Sequence, residues 1–174
     1  MQPSAALCDS YRELVAEFSA AGEKPVPFVL GFDHSNVGEF LDRLEACARG
    51  IGLPEGFVAH STYWLVSDQK HVVGVSNIRH ELTPALRHEG GNIGYGIRPS
   101  ARRQGFASEI LRLSLLRAAE LGHTRVLITC AKSNVGSSKT ILRNGGVLES
   151  EEFLADRGEV VQRYWIEIAP RATV

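Results

Sequence analysis

Between Gly94 and Gly122 the sequence runs GYGIRPSARRQGFASEILRLSLLRAAELG, a strand pattern, a basic loop and a long helical pattern in succession. Ile93 to Ile97 reads as a strand stopped at Pro99. Phe106, Ala107, Ile110, Leu111, Leu115 and Ala118 then recur at helical spacing, opposite Glu109, Arg112, Arg117 and Glu120, until Gly122 ends the pattern. A strand that turns this directly into an amphipathic helix restricts the chain to folds in which helices pack on a sheet. The loop between them carries Arg98, Arg102 and Arg103 and reaches Gly105 where the helix begins. The first amides of a helix lack partners and its N-terminus carries about half a positive charge, so the amides from Arg103 to Ser108 suit the oxygens of a diphosphate. Arg102 and Arg103 are expected to add charge at the rim.

The rest of the chain fits around this unit. Leu14, Val15, Phe18 and Ala21 predict a helix over Asp9 to Ala21, and Ser35 or Asn36 caps a second through Phe40, Leu41, Leu44 and Ala48. Thr62 to Val66 and His71 to Ile78 read as a hairpin. Arg79 to Gly91, with Pro84 and two glycines, reads as a loop or a single helical turn. Arg125 to Cys130 predicts a strand, Val135 to Asn144 a helix closed by Gly145 and Gly146, and Val147 to Phe153 with Val160 to Ile168 a final hairpin. The order predicts the α/β class, with a mixed, partly antiparallel sheet flanked by helices. At 174 residues the chain suits a single domain, 1–174, with a helical part over 1–50 and the sheet and binding core over 57–168.

Composition removes several functions. A net charge of -1 with 22% charged residues argues against bulk nucleic-acid binding, so any basic site is local. Cys8, Cys47 and Cys130 are odd in number and widely spaced, which argues against zinc and a disulfide framework, and no metal is expected. The sequence lacks a leader pattern and an apolar run of bilayer length, so the expected setting is cytoplasmic, without a membrane. A Walker loop is missing. Gly94-Tyr95-Gly96 starts a dinucleotide fingerprint whose third glycine position holds Pro99, and His80-Glu81-Leu82-Thr83-Pro84 gives only half of a zinc-protease motif.

Arg102-Arg103-Gln104-Gly105-Phe106-Ala107 resembles the pyrophosphate loop of the GNAT superfamily of acyl-CoA N-acyltransferases, which reads Gln or Arg, two residues, Gly, one residue, Gly or Ala. The surrounding order of strand, loop, long helix, strand, Asn134 and short helix resembles that fold over nearly the whole chain. The stretches LPEGFVAHSTYWLV, NIRHEL, GYGIRPSARRQGFA and QRYWI resemble a subgroup of predicted acetyltransferases with no assigned acceptor. The resemblance implies a GNAT fold and acetyl-CoA as cosubstrate. It implies transfer of the acetyl group to a primary amine of a small molecule, peptide or protein by direct attack in a ternary complex. A module of the same fold that binds acyl-CoA without turnover is the alternative, and a homodimer is compatible with either.

The resemblance also assigns positions. The backbone of Tyr95, Gly96 and Ile97 is expected to meet the thioester and pantetheine, and Arg102, Arg103, Gln104, Gly105, Phe106, Ala107 and Ser108 the diphosphate. Asn134 and Ser137 are expected along the pantetheine arm, with Ser133 or Asn134 also capping its helix. Counting from Asn134 puts the family's common acid tyrosine at Ile141, a departure from the pattern. Tyr95, Ser137 or Tyr164 then protonates the thiolate, or the thiolate leaves unassisted, its conjugate acid having a pKa near ~8.5. His80 and Glu81, or His88 and Glu89, are candidate bases beside relay through water. Adjacent strand residues face opposite ways, so only one of Tyr63 and Trp64, and one of Tyr164 and Trp165, points inward; both tryptophans are expected in the core.

Overall fold

The computed structural model describes residues 1–168. Helices α1 (Cys8–Ala20) and α2 (Val37–Ala48) come first, then strands β1 (His60–Val66) and β2 (Val72–Arg79) and the short helix α3 (Pro84–His88). Strand β3 (Ile93–Ile97) leads into α4 (Phe106–Glu120), followed by β4 (Arg125–Ala131), α5 (Val135–Arg143), β5 (Val147–Leu154) and β6 (Glu159–Glu167). The helix expected at Asn36 starts there: Asn36 Oδ1 accepts from the amides of Gly38 and Glu39. The segment before β3 holds one short helix, started by Pro84 and capped by Thr83.

Among the described residues every strand ladder is antiparallel. The strands form two three-stranded sheets, in the orders β1-β2-β3 and β4-β6-β5, so β6 folds back between its hairpin partner and β4. Alternation gives the first sheet two faces. His60, Thr62 and Trp64 share one with Val75, Asn77 and Arg79, and there Trp64 stacks on Tyr11 of α1 at 4.8 Å. Tyr63 turns to the other face, under Arg117 of α4, where Ser76 bonds Ser114 of α4 at 2.7 Å. Trp64 is a core residue as expected. Trp165 is not: it is half-buried, flanked by the guanidinium groups of Arg87 and Arg125.

One residue clips the two sheets together. The Asn92 amide donates to Leu127 O at 2.7 Å, and Asn92 Oδ1 accepts from the Leu127 amide at 2.8 Å. Gly91 lies against the Leu127 backbone, and the Gly90 amide donates to Thr129 Oγ1. Beyond this clip no ladder joins β3 to β4 among the described residues, and the two strands leave a gap.

Candidate functional site

The gap is lined by unsatisfied backbone. In an antiparallel ladder, alternate residues turn both polar groups toward the partner strand. The bonds Arg79 N to Asn92 O and Arg98 N to Val73 O set the phase: Gly94 and Gly96 bond β2, so Ile93, Tyr95 and Ile97 turn their amides and carbonyls toward β4. Ile97 O accepts from Arg102 Nε at 3.3 Å, and the amides of these residues are donors facing a space that no strand fills among the described residues. On β3's outer face, opposite α4, Gly94 meets Pro27, and a Cβ on Gly96 would collide with the Val26 carbonyl. The glycines therefore let the segment after α1 lie directly on the strand.

The loop after β3 has the geometry of an anion cradle. Arg103 (φ 62) and Gly105 (φ 87) are left-handed. Gly105 is the N-cap of α4, and the first backbone bonds onto its carbonyl come from Ser108 and Glu109. The amides of Gly105, Phe106 and Ala107 have no protein partner among the described residues. A Cβ on Gly105 would meet no atom within 4 Å, so the space over the helix start is open. Phe106 and Ala107 pack below with Ile97, and Ser108 O accepts from Asn144 Nδ2, tying the start of α4 to the end of α5.

Of the two arginines expected at the rim, Arg102 is engaged by a carboxylate outside the cradle, and so is Arg98 before it in the loop. Arg102 donates two hydrogen bonds to the Glu23 carboxylate, at 2.7 and 2.6 Å, and stands over the Phe18 ring. Arg98 pairs with Glu17 at 2.6 Å and Glu13 at 3.1 Å. Their charges hold the loop to α1 and the segment after it. Arg103 is exposed and has no ion-pair partner among the described residues, and Gln104 reaches back to Ser100 O.

At the far side of the gap, Tyr95 reaches across to α5. Its hydroxyl lies 3.2 Å from Ser137 Oγ, and Asn134 Oδ1 accepts from the Ser137 amide at 3.0 Å, capping α5. Cys130 of β4 lies in the same cluster. Burial pushes the Tyr95 phenol up to about 12 and the Cys130 thiol up to about 11, so both are protonated at neutral pH. Ile141 is fully buried with Ile128 and Leu111, so the position reached by counting presents nothing to the gap. Asn92 and Cys130 escape a reading of the sequence. Strand alternation puts Cys130 on the face of Val126 and Ile128, a signal that becomes useful only once the strand's neighbours are known.

His80 and Glu81 make no hydrogen bond to Tyr95, Ser137 or Cys130 among the described residues. His80 bonds Ser61 Oγ at 2.9 Å on the α4 side of the sheet, and its pKa is lowered by burial and then by His123, which follows the C-terminal end of α4. The cradle is at the other end of that 15-residue helix, whose axis is about 22 Å long. Glu81 is exposed. His88 and Glu89 lie over the second sheet instead: Arg163 donates to His88 O at 2.6 Å, and Glu89 pairs with Arg157 at 2.5 Å.

His60 is another buried titratable group, 2% exposed. Burial, then the charge of Arg79, lowers its pKa to about 4. A depressed pKa means the folded state resists protonation, so stability is fully present above about 6.5 and declines as pH falls through about 4. Urea titrations at pH 7 and pH 4 are expected to differ by roughly 3 kcal/mol from this residue, and His60→Gln should remove that share of the slope.

The sequence matches the description "Acetyltransferase (GNAT) domain" over residues 12–147. No curated protein matches it significantly. Among solved structures, an acetyl transferase from Salmonella typhimurium that modifies the N-terminal serine of a 50S ribosomal subunit protein is 18% identical, with 97% of this chain and 94% of that chain covered and a TM-score of 0.68. A ribosomal α-N-protein acetyltransferase, held in a disulfide with coenzyme A through one of its cysteines, is 19% identical, with 96% and 92% covered and a TM-score of 0.66. A mutant spermidine N-acetyltransferase from Vibrio cholerae is 15% identical, with 92% and 90% covered and a TM-score of 0.60. At these identities the likeness establishes the fold. The match over most of the sequence, together with the open cradle at Gly105 and the gap between β3 and β4, identifies the chain as a member of the GNAT acetyltransferase family.

Proposed function

We propose that the protein transfers the acetyl group of acetyl-CoA to a primary amine by direct attack, as a single domain working in the cytoplasm. The observation that carries this reading is the gap: unpaired amides of Tyr95 and Ile97 face it, and one end opens onto the amides of Gly105 to Ala107. The diphosphate of acetyl-CoA rests on those amides with Arg103 beside it, and the pantetheine arm lies between β3 and β4. The thioester oxygen then meets strand amides that need no reorganisation as negative charge develops on it.

Two protons move. The acceptor ammonium, with an ordinary pKa near ~10, loses one before attack, and the departing thiolate takes one up. Tyr95 is the donor this geometry supports best. Its hydroxyl is protonated at any working pH, and Ser137 holds it at the α5 end of the gap. Tyrosine is thus supplied from β3, while the α5 position reached by counting is filled by core.

Acetyl-CoA-dependent thiol release, measured over a panel of amines and peptides, tests the reading. Tyr95→Phe is expected to lower kcat about 10- to 100-fold while calorimetric affinity for CoA stays within about twofold. Acetyl-CoA binding without thiol release from any acceptor would instead identify a binding module.

A further inference from the structure

On the face of the first sheet opposite α4 lies a cavity of about 270 Å³, lined by Phe28, Gly56, Phe57, Val58, His60, Arg79 and Leu86. Its walls are mainly apolar. Its two polar side chains are both donors. Arg79 spends Nη1 on the carbonyls of Gly90 and Gly91, at 3.1 and 3.0 Å, and its Nε and Nη2 have no protein partner among the described residues. Asn77 Nδ2 faces His60 Nδ1 at 2.9 Å and also donates to Ser61 O and Thr62 Oγ1. Nδ1 of His60 must therefore accept, and the ring proton sits on Nε2. The lining contains no carboxylate.

A pocket with apolar walls, donor side chains and one positive charge accepts an oxygen next to an apolar group and disfavours a second cation. Its position relates it to the gap. Phe28 directly follows the Val26-Pro27 segment that lies on Gly96 and Gly94. Arg79 pairs in register with Asn92, three residues before Tyr95 on β3. Three residues of strand span about 10 Å, and an extended peptide covers the same distance in the same number of residues.

We propose that this cavity receives the first residues of a peptide acceptor: the N-terminal amine lies at the gap, a large apolar side chain from the second or third residue fills the cavity, and a peptide carbonyl or terminal carboxylate bonds Arg79. The proposal rests on the acetyltransferase reading above and narrows its acceptor to peptide N-termini. Polyamines do not fit, because they bring further cations to a site whose polar side chains only donate.

Thiol release from acetyl-CoA is measured with the tripeptides Ala-Phe-Ala, Ala-Ala-Ala and Ala-Lys-Ala and with spermidine. The phenylalanine peptide is expected to have a kcat/KM at least 10-fold above each of the others. Val58→Trp, which fills the cavity, should raise KM for that peptide at least 10-fold and erase the preference, while acetyl-CoA affinity by calorimetry stays within twofold. Leu86→Trp, on the short helix α3, repeats the test from another wall should the first variant fail to fold. Equal or faster reaction of the lysine peptide or spermidine overturns this proposal alone. Absence of thiol release with every acceptor overturns the acetyltransferase reading and this proposal with it.

Discussion

Gly105→Asp is expected to weaken CoA binding at least 100-fold while leaving the protein folded. Gly105 is left-handed at φ 87, and a side chain there costs about 1 kcal/mol in backbone strain, somewhat less for aspartate, which tolerates that region. A Cβ would meet no protein atom, so there is no packing penalty. A carboxylate at a helix N-terminus is itself favoured by about 0.3–1 kcal/mol, which offsets part of the strain. The same carboxylate, however, takes over the free amides and sets a negative charge where the diphosphate belongs. A 100-fold loss corresponds to about 2.8 kcal/mol, within reach of charge repulsion combined with lost charge-assisted hydrogen bonds. Gly105→Ala separates strain from charge and should lose only a few-fold. Calorimetric titration of CoA with a thermal melt of each variant checks the result, and unchanged affinity in folded Gly105→Asp would remove the loop from the binding site.

Gly91→Ala is expected to destabilise the fold far more than Gly105→Ala, for a different reason. Gly91 is left-handed at φ 62, and its added Cβ would run into the Leu127 carbonyl, 2.9 Å from the carbonyl carbon, with Ile128 Cα at 3.2 Å. Backbone cannot swing aside as a side-chain tip does. Relief requires pulling β4 away, which strains both bonds of the Asn92 clip. Left-handed strain of about 1–2 kcal/mol and two buried hydrogen bonds of about 1 kcal/mol each suggest a loss of about 3–4 kcal/mol. For a chain of this size that lowers Tm by about 10 °C. Gly158→Ala is the control: its φ is 66 but its Cβ would meet nothing within 4 Å, so only the backbone term remains. Equal melting temperatures for the two variants would show that the contact with Leu127 is not rigid.

The site is legible in the sequence where its chemistry is carried by a contiguous stretch. Ile93 to Ile97, the loop to Gly105 and the helix from Phe106 are read from pattern alone, because alternation, helical spacing and a left-handed glycine are local properties. The cap at Asn134 is equally local. Reading fails where a side chain's role depends on its neighbour across the fold. Counting puts Ile141 at the site and the fold puts it in the core, while Tyr95, one of several acids the sequence offers, acquires its partner Ser137 from 42 residues away. His80 looks free in the sequence and is engaged by Ser61, 19 residues away in the chain.

The sequence by itself therefore determined the order of elements, the strand-to-helix loop and the family resemblance that goes with it. Only the tertiary structure decided which charges the cradle keeps. Arg98 and Arg102 are as basic in the sequence as Arg103, but they meet Glu17, Glu13 and Glu23 across separations of 79 to 85 residues once α1 and the segment after it pack beside β3. A guanidinium held by a carboxylate is largely neutralised toward any other anion, and a neighbour so distant in the chain has no local signature. The gap between β3 and β4 has the same origin, since it exists because Asn92 clips the sheets at one end and β6 has already paired with the other side of β4.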